Sequence, residues 1–127
     1  MCSGNAFRSP VAEALLKKFR PDVEVESAGV HPVISIAESA KRYLAGQKAE
    51  QYLKGSSESL FEKSLESYDL IVAMEERHKD IILKSCPGCA ERIIVWNIKD
   101  PYFMPHGSAE KIFRQIREKV EELADSL

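Results

Sequence analysis

An uninterrupted apolar run, Leu70-Ile71-Val72-Ala73-Met74, is the feature that most restricts the fold of this chain. A strand with one face in water alternates apolar and polar residues, whereas a run without polar positions indicates a strand buried on both faces. Such strands occur in parallel sheets that helices cover on both sides. A helical pattern over about 75–83 and a second β-rich run over 92–98 follow. This order of elements predicts an α/β domain with a parallel sheet.

Further helix and strand patterns extend the alternation to the rest of the chain. Ser9 is a good N-cap and Pro10 suits the first position of a helix that ends at Pro21. Three more elements are predicted: a short strand over 23–26, a helix over about 36–45 with Gly46 as its stop signal, and an amphipathic helix from about 108. Because 127 residues suit one compact core, we expect a single domain, 1–127.

The segment Cys2-Ser3-Gly4-Asn5-Ala6-Phe7-Arg8-Ser9-Pro10 places a cysteine six positions before an arginine, at the start of a helix. A short loop can turn its backbone N–H groups inward to bind an anion, and the helix N-terminus adds its positive end. Gly4 and Asn5 tolerate the backbone conformations that such a loop needs. Arg8 can hold two phosphate oxygens with its planar guanidinium. The same positive field favours the thiolate of Cys2, which is the attacking form.

The alternative for this pair is an incidental thiol and a surface arginine, because Cys-x5-Arg spacing is common by chance. The glycine, the asparagine and the Ser-Pro helix start favour a phosphate-binding loop. We therefore expect Cys2 to be the nucleophile and Arg8 the phosphate clamp, with the Ser9 hydroxyl placed to donate to the thiolate. The predicted loop consists of Ser3, Gly4, Asn5, Ala6, Phe7, Arg8 and Ser9.

Cleavage of a phosphate ester also needs an acid that protonates the leaving oxygen. Asp100 follows the last predicted strand, at the sheet edge where functional loops lie in α/β proteins. An Asp-Pro pair is by itself more often a turn former. Tyr102 and Phe103 would, in isolation, be packing residues. On the residues alone, Asp100 can be an acid or a turn former, and the two aromatic residues can belong to a site or to the packing.

The segment from Cys2 to Pro10 resembles the signature loop of the low-molecular-weight protein tyrosine phosphatases. The resemblance continues through Ser27-Ala28-Gly29, through 68–74 and through Asp100-Pro101-Tyr102, so it covers almost the whole chain. It implies a three-layer α/β/α fold with a central parallel sheet, of the phosphotyrosine phosphatase I type. It also implies hydrolysis through a phosphocysteine intermediate, with neither a metal ion nor a cofactor.

The resemblance assigns the remaining site residues. In this family the aspartate of Asp-Pro-Tyr is the general acid, which identifies Asp100 as the acid and then as the base that activates water. Tyr102 and Phe103 would form one wall of the substrate slot, and the segment beginning at His31 the other. An aryl ring fills such a slot, whereas phosphoserine leaves it empty. The implied partners are phosphotyrosine-containing proteins or small aryl phosphates, with phosphate-like anions as ligands.

Three departures from the family pattern carry expectations of their own. Phe7 stands where many members have a second cysteine, so a disulfide within the loop is not possible here. The histidine that supports the loop in several members is absent near 48–51, so Asn5 needs other partners, Ser27 among them. The strand that precedes the nucleophile in the family is also missing, which would leave the strands near 23 and 70 without a shared neighbour. A start at an internal methionine of a longer gene is the favoured explanation; a smaller rearranged sheet or a strand from a partner chain are the others.

Cys86 and Cys89 form a Cys-Pro-Gly-Cys turn. A structural or idle pair is favoured and a disulfide is reasonable, whereas zinc would need His78 and His106, which lack metal-ligand spacing. An arsenate reductase of the same fold, coupled to a thioredoxin-like donor through Cys2, Cys86 and Cys89, is the first alternative function. A non-catalytic phosphate-binding relative is the second.

Charge and hydropathy exclude other classes of function. The formal net charge of -2 gives no case for nucleic-acid binding. No apolar stretch approaches the roughly 20 residues that span a bilayer, and no signal-peptide pattern is present. The odd cysteine count argues against a secreted disulfide scaffold. We therefore expect a cytoplasmic protein without membrane or nucleic-acid partners, monomeric, with a dimer left open.

Overall fold

The computed structural model describes residues 8–29, 36–55, 58–99 and 108–127. The helices in these ranges are α1 (Arg8–Phe19), α2 (Glu38–Gly46), α3 (Glu76–Ser85) and α4 (Ser108–Ser126). The strands are β1 (Ile71–Ala73) and β2 (Ile93–Val95). Short 3-10 turns lie at Glu50–Tyr52, Leu60–Glu62, Leu65–Ser67 and Pro87–Arg92.

The two strands form the parallel sheet that the sequence predicts, and α3 is the crossover between them. Ile71 pairs with Ile93 and Ala73 with Val95. Pairing continues beyond β2, where the Trp96 N–H donates to the Ala73 carbonyl oxygen at 3.0 Å and the Ile98 N–H to that of Met74 at 2.8 Å. The α/β class is thereby confirmed, since parallel neighbours require such a crossover.

The apolar core is divided into two clusters that lie on different sides of the sheet. The first joins α1, α2 and α4 through residues such as Leu15, Leu44 and Ile116. The second packs α3 against the strands through Ile71, Ala73, Ile82 and Ile93, together with Cys86 and Cys89. Side chains of a strand alternate between its faces. The division therefore produces helix, sheet and helix layers.

Periodicity explains the helices of the first cluster. In α4 the buried residues recur every three or four positions, as at Ile112, Ile116 and Val120, so one side of the helix is apolar. This side packs on α1, and the Phe113 ring lies 5.2 Å from that of Tyr43 in α2, measured between centroids. The predicted stop at Gly46 is confirmed, and the helix begins at Glu38, two residues after its predicted start. Gly46 is the last residue of α2, and Lys48 adopts the left-handed conformation, with φ of 56°.

The predicted strand over 23–26 was wrong. Residues 24–28 form no ladder with any described strand, and the first bridge in this segment is Gly29 with Ser59. A cleft of about 990 Å³ separates residues 23–28 from residues 68–72, which comprise the approach to β1 and its first two residues. Its floor comes from α1 and α4, including Leu16 and Leu123, and Trp96 also lines it. We call this space the apolar cleft.

The cysteine pair of the Cys-Pro-Gly-Cys turn is a disulfide. The Cys86 and Cys89 sulfurs are 2.04 Å apart, and both residues are buried in the second cluster. Neither sulfur is therefore available as a zinc ligand in this form. Among the described residues, no group of three or more His, Cys, Asp or Glu side chains could hold a metal ion.

Candidate active site

Arg8 is the first residue of α1, and its side chain is only 1% exposed. Its Nη1 donates to the carbonyl oxygen of Ile98 at 2.7 Å and lies 3.2 Å from Oε2 of Glu75. Ile98 follows β2 and Glu75 follows β1, so both contacts lie at the carboxyl ends of the parallel strands. Ligands of α/β proteins bind at this edge. The structure thus places the predicted clamp, buried and oriented, where a phosphate site is expected.

Two arginines share the carboxylate of Glu75. Nε and Nη2 of Arg77 both lie 2.8 Å from Oε2, the oxygen that also faces Arg8. Partial burial would raise the pKa of Glu75, but the hydrogen bond from Arg77 and the charge of Arg8 hold it below its usual value. Glu75 is therefore an anion at neutral pH, and it offsets the cost of burying the Arg8 guanidinium.

His78 completes this cluster from the first turn of α3. Its side chain is fully buried, and its Nδ1 accepts a hydrogen bond of 3.2 Å from the backbone N–H of Glu75. Burial, with a further contribution from the positive charge of Arg8, lowers the pKa of His78 to about 4. The imidazole is consequently neutral at pH 7, with its proton on Nε2, and serves as a cap for the helix start.

Ser9 and Pro10 lie inside the first turn of α1, because the helix begins at Arg8. The prediction of Ser9 as the N-cap was therefore wrong by at least one residue. Proline is tolerated in a first helical turn, where its missing N–H has no intrahelical partner. Ser9 is buried, and Glu13, one turn later on the same face, is buried as well.

Lys54 supports the segment that the resemblance placed next to the loop. Its Nζ donates to the carbonyl oxygen of Ser27 at 2.7 Å and to Oγ of Ser27 at 3.2 Å. The same ammonium group lies 3.9 Å from Glu13 and pairs with Glu58. Because the side chain is only 8% exposed, the charge needs these partners. Lys54 thus joins the Ser27 segment to α1.

Sequence reasoning missed three residues of this site: Glu75, His78 in its capping role, and Lys54. The spacing of Glu75 and His78 matches the three-residue interval of a capping pair, which is a signal that the sequence does contain. Lys54 lies 27 positions from Ser27, and no local pattern joins them.

Most predicted site residues lie outside the described ranges. They are Cys2, Ser3, Gly4, Asn5, Ala6, Phe7, His31, Asp100, Tyr102 and Phe103, as well as His106 of the zinc alternative. Of the predicted site, the structure therefore describes Arg8 and Ser9. The chain leading to Asp100 is anchored to the site two residues earlier, because Arg8 holds the carbonyl oxygen of Ile98.

Comparison with known proteins gives consistent matches. The family model described as low molecular weight phosphotyrosine protein phosphatase matches residues 1–127. The low molecular weight protein-tyrosine-phosphatase Wzb of Escherichia coli (strain K12) is 26% identical over 135 residues, which cover 100% of this chain and 92% of that protein. A protein-arginine-phosphatase of Bacillus subtilis (strain 168) is 31% identical over 136 residues, covering 100% and 91%.

Solved structures agree on the fold. Vibrio vulnificus Wzb in complex with benzylphosphonate superimposes with a TM-score of 0.88 at 24% identity, covering 99% of this chain and 94% of that chain. The YwlE arginine phosphatase of Geobacillus stearothermophilus gives a TM-score of 0.86 at 27% identity, covering 98% and 88%. No helix within the described part of the chain is long and apolar enough to cross a membrane.

Proposed function

Because this chain belongs to the low molecular weight phosphotyrosine protein phosphatase family, we propose that it hydrolyses phosphotyrosine in proteins with Cys2, Arg8 and Asp100 as its catalytic residues. The observation that carries the assignment is the buried Arg8 at the start of α1, held by Ile98 and Glu75 at the carboxyl ends of the strands. A cationic group fixed there costs no reorganisation when a phosphoryl group arrives.

The proposed reaction has two steps. The Cys2 thiolate attacks phosphorus, the bond to the phenolic oxygen breaks, and Asp100 gives its proton to that oxygen. Asp100 then takes a proton from water, which attacks the phosphocysteine; the sulfur–phosphorus bond breaks and inorganic phosphate leaves. Arg8 and the N–H groups of the loop stabilise the charge on the equatorial oxygens in both steps. Ser9 is proposed to donate its hydroxyl to the returning thiolate.

Selectivity for an aryl ester is proposed to come from a slot between Tyr102 and Phe103 on one side and His31 on the other. The benzylphosphonate in the complex of the Vibrio vulnificus relative, which carries an aromatic ring next to its phosphonate group, supports this choice. A single cytoplasmic domain acting as a monomer is part of the proposal.

The proposed mechanism is tested by measuring the hydrolysis of a phosphotyrosine peptide. The proteins compared are wild type, Cys2→Ser, Asp100→Asn and Arg8→Lys. Cys2→Ser should abolish turnover, and Asp100→Asn should lower kcat by about 10²–10⁴-fold, the range of general acid catalysis. Arg8→Lys keeps the charge but loses the planar fork, so its kcat should fall as well. Full activity of Cys2→Ser would exclude the mechanism.

Phosphoarginine in proteins is the second candidate substrate. It is favoured by the protein-arginine-phosphatase of Bacillus subtilis, which is 31% identical to this chain. Assaying phosphoarginine and phosphotyrosine peptides of the same sequence at equal concentration decides between them. A higher kcat/KM for the phosphoarginine peptide would identify phosphoarginine as the preferred substrate and would leave the proposed roles of Cys2 and Arg8 unchanged.

A further inference from the structure

A second, smaller pocket lies between α2 and α4. Its volume of about 280 Å³ is just below the roughly 300 Å³ at which sites for drug-sized molecules begin, so it suits a small ligand or a single functional group. Its described lining is rich in arginine: Arg42 comes from α2, and Arg114 and Arg117 come from α4. The other described lining residues are Tyr43, Gly46, Gln47 and Glu110. We call this space the arginine pocket.

The helical repeat brings the α4 residues of the pocket together. Glu110, Arg114 and Arg117 are separated by four and three positions, so they share one face of the helix. This face adjoins the buried Phe113, whose ring packs against that of Tyr43 in α2. The contact between the two rings therefore sets the α2 side of the pocket against the α4 side.

The positive charge of the arginine pocket is largely uncompensated. Glu110 is the one carboxylate in its described lining, which leaves an excess of two positive charges in a chain whose formal net charge is -2. Neither Arg42 nor Arg114 forms an ion pair within the described part of the chain. Arg117 pairs its Nε with Glu121 at 3.0 Å, so its two terminal nitrogens remain for a ligand. Because like charges repel, an anion in the pocket would lower the electrostatic energy.

The end of α2 does not supply this anionic partner. The last carbonyl oxygens of a helix lack intrahelical donors and can accept from arginine side chains. Here the Gln47 N–H donates to the carbonyl oxygens of Tyr43 and Leu44, both at 3.1 Å. The Gln47 carbonyl oxygen in turn accepts from the Lys18 ammonium group at 2.5 Å. These acceptors are therefore already used, and Lys18 adds another cation beside the pocket.

Tyr43 supplies an uncharged donor. Its hydroxyl has no hydrogen-bond partner among the residues that the structure describes, and the residue is only partly buried. Burial raises the pKa of Tyr43, although the charges of Arg117 and Arg114 oppose the shift. The phenol therefore keeps its proton at neutral pH and can donate it to a ligand. Donors and positive charge together fit an anion with several acceptor oxygens.

We propose that the arginine pocket binds a phosphate group, at a site separate from the Arg8 clamp. The planar forks of arginine match pairs of phosphate oxygens, and phosphate presents more oxygens to several forks than a carboxylate does. The described lining includes neither Arg8 nor its partners Glu75 and Ile98, so the proposal does not depend on the phosphatase activity. Inorganic phosphate and a phosphorylated side chain of another protein are the two sources of such a group.

Titration with inorganic phosphate, followed in ¹H–¹⁵N spectra at constant ionic strength, tests the proposal. The amide signals of residues 42–47 and 110–117 should shift together and saturate. Arg114→Gln should weaken this binding about tenfold, equal to 1.4 kcal/mol. Any shifts that phosphate causes around Arg8 and Glu75 should stay as in wild type, because that site does not include Arg114.

Three further variants change the pocket in defined directions. Glu110→Gln removes the opposing charge and should tighten phosphate binding about two- to fivefold, the effect of an exposed charge. Tyr43→Phe keeps the ring and removes the donor, so binding should weaken about fivefold. Lys119→Gln, at an exposed residue of α4 outside the described lining, loses one positive charge and should leave binding within about twofold. If Arg114→Gln does not fold, Arg42→Gln replaces it.

A peptide with one phosphoserine separates the two sources, since phosphoserine leaves the proposed aryl slot of the active site empty. Tighter binding of this peptide than of inorganic phosphate supports the site for a phosphorylated protein, and the reverse order supports it for the small anion. The proposal is overturned if chloride at equal ionic strength causes the same shifts, or if Arg114→Gln and Lys119→Gln bind phosphate equally well. It is also overturned if a hexaglutamate peptide binds more tightly than both phosphate ligands.

Discussion

Glu75→Gln tests whether the Arg8 clamp is held by its carboxylate partner. Glutamine preserves the volume and one acceptor oxygen, so the change removes the negative charge between Arg8 and Arg77. A hydrogen bond to a charged group contributes about 1.5–3 kcal/mol. Because the Glu75 side chain is 28% exposed, solvent screening reduces this, and we expect a loss of about 1–2 kcal/mol in the free energy of unfolding.

The sign of the pH dependence follows from the lowered pKa of Glu75. Its contribution is complete above the ordinary glutamate pKa of about 4.3 and is lost as the pH falls through the lower folded value. Wild type and Glu75→Gln should therefore differ most at neutral pH and converge in acid. Urea unfolding at several pH values measures this difference.

Activity supplies the second measurement for Glu75→Gln. If the clamp loses its orientation, kcat/KM for p-nitrophenyl phosphate should fall about tenfold, which is 1.4 kcal/mol of transition-state stabilisation. Glu76→Gln is the matched control, because Glu76 is the next residue, is exposed, and loses the same charge. If both variants have equal stability and equal kcat/KM, the carboxylate does not hold Arg8 and the argument is wrong.

Three further predictions concern the buried polar groups and the disulfide. The pKa of His78 is lowered to about 4, so the unfolded chain binds a proton at this residue before the folded chain does as the pH falls. The free energy of unfolding should therefore drop by up to ~3 kcal/mol between pH 6.5 and 4. His78→Asn should remove this pH dependence, as measured by urea unfolding. Lys54→Met should cost about 1–3 kcal/mol by thermal unfolding, whereas Lys41→Met, at an exposed lysine, should cost less than about 0.5 kcal/mol. Cys89→Ser should lower stability by about 2 kcal/mol, the loop-entropy value for a closed loop of this length, and leave phosphatase activity within about twofold. Loss of a thioredoxin-dependent arsenate reduction in that variant, if wild type shows one, would instead establish the redox alternative.

The elements that the sequence predicts correctly are those whose signal is local. The apolar run around Ile71 and the three- to four-residue periodicity of α4 each specify an element without reference to the rest of the chain. The predicted strand over 23–26 fails for the opposite reason. Alternation describes a segment suited to pairing, but a strand forms only where a neighbour supplies the other half of the ladder, and the apolar cleft lies there.

In the candidate site, too, the features that depend on local sequence are predictable and those that depend on distant residues are not. The position of Arg8 at the start of a helix is visible in the sequence, because the Ser-Pro helix signal follows it directly. Its partners are not, because Glu75 and Ile98 lie 67 and 90 positions away and meet it only after both strands have formed. Lys54 and Ser27 are likewise distant in sequence. Such partners depend on tertiary structure, which the spacing of residues does not encode directly.

Helix α1 contributes both Arg8 and part of the lining of the apolar cleft, but different residues contact each of them. Arg8 is bound at the carboxyl ends of β1 and β2, by Glu75 and by Ile98, and neither residue lines the cleft. Ser9 and Glu13 on the following turn do line it. Substitutions on the side of α1 that faces the cleft should therefore change the stability of the domain, while the direction of the guanidinium stays set by the sheet. Leu16→Ala, at a buried position of α1 that lines the cleft, should accordingly lower the free energy of unfolding by about 2–5 kcal/mol, measured by urea unfolding, and leave the phosphate affinity within about twofold.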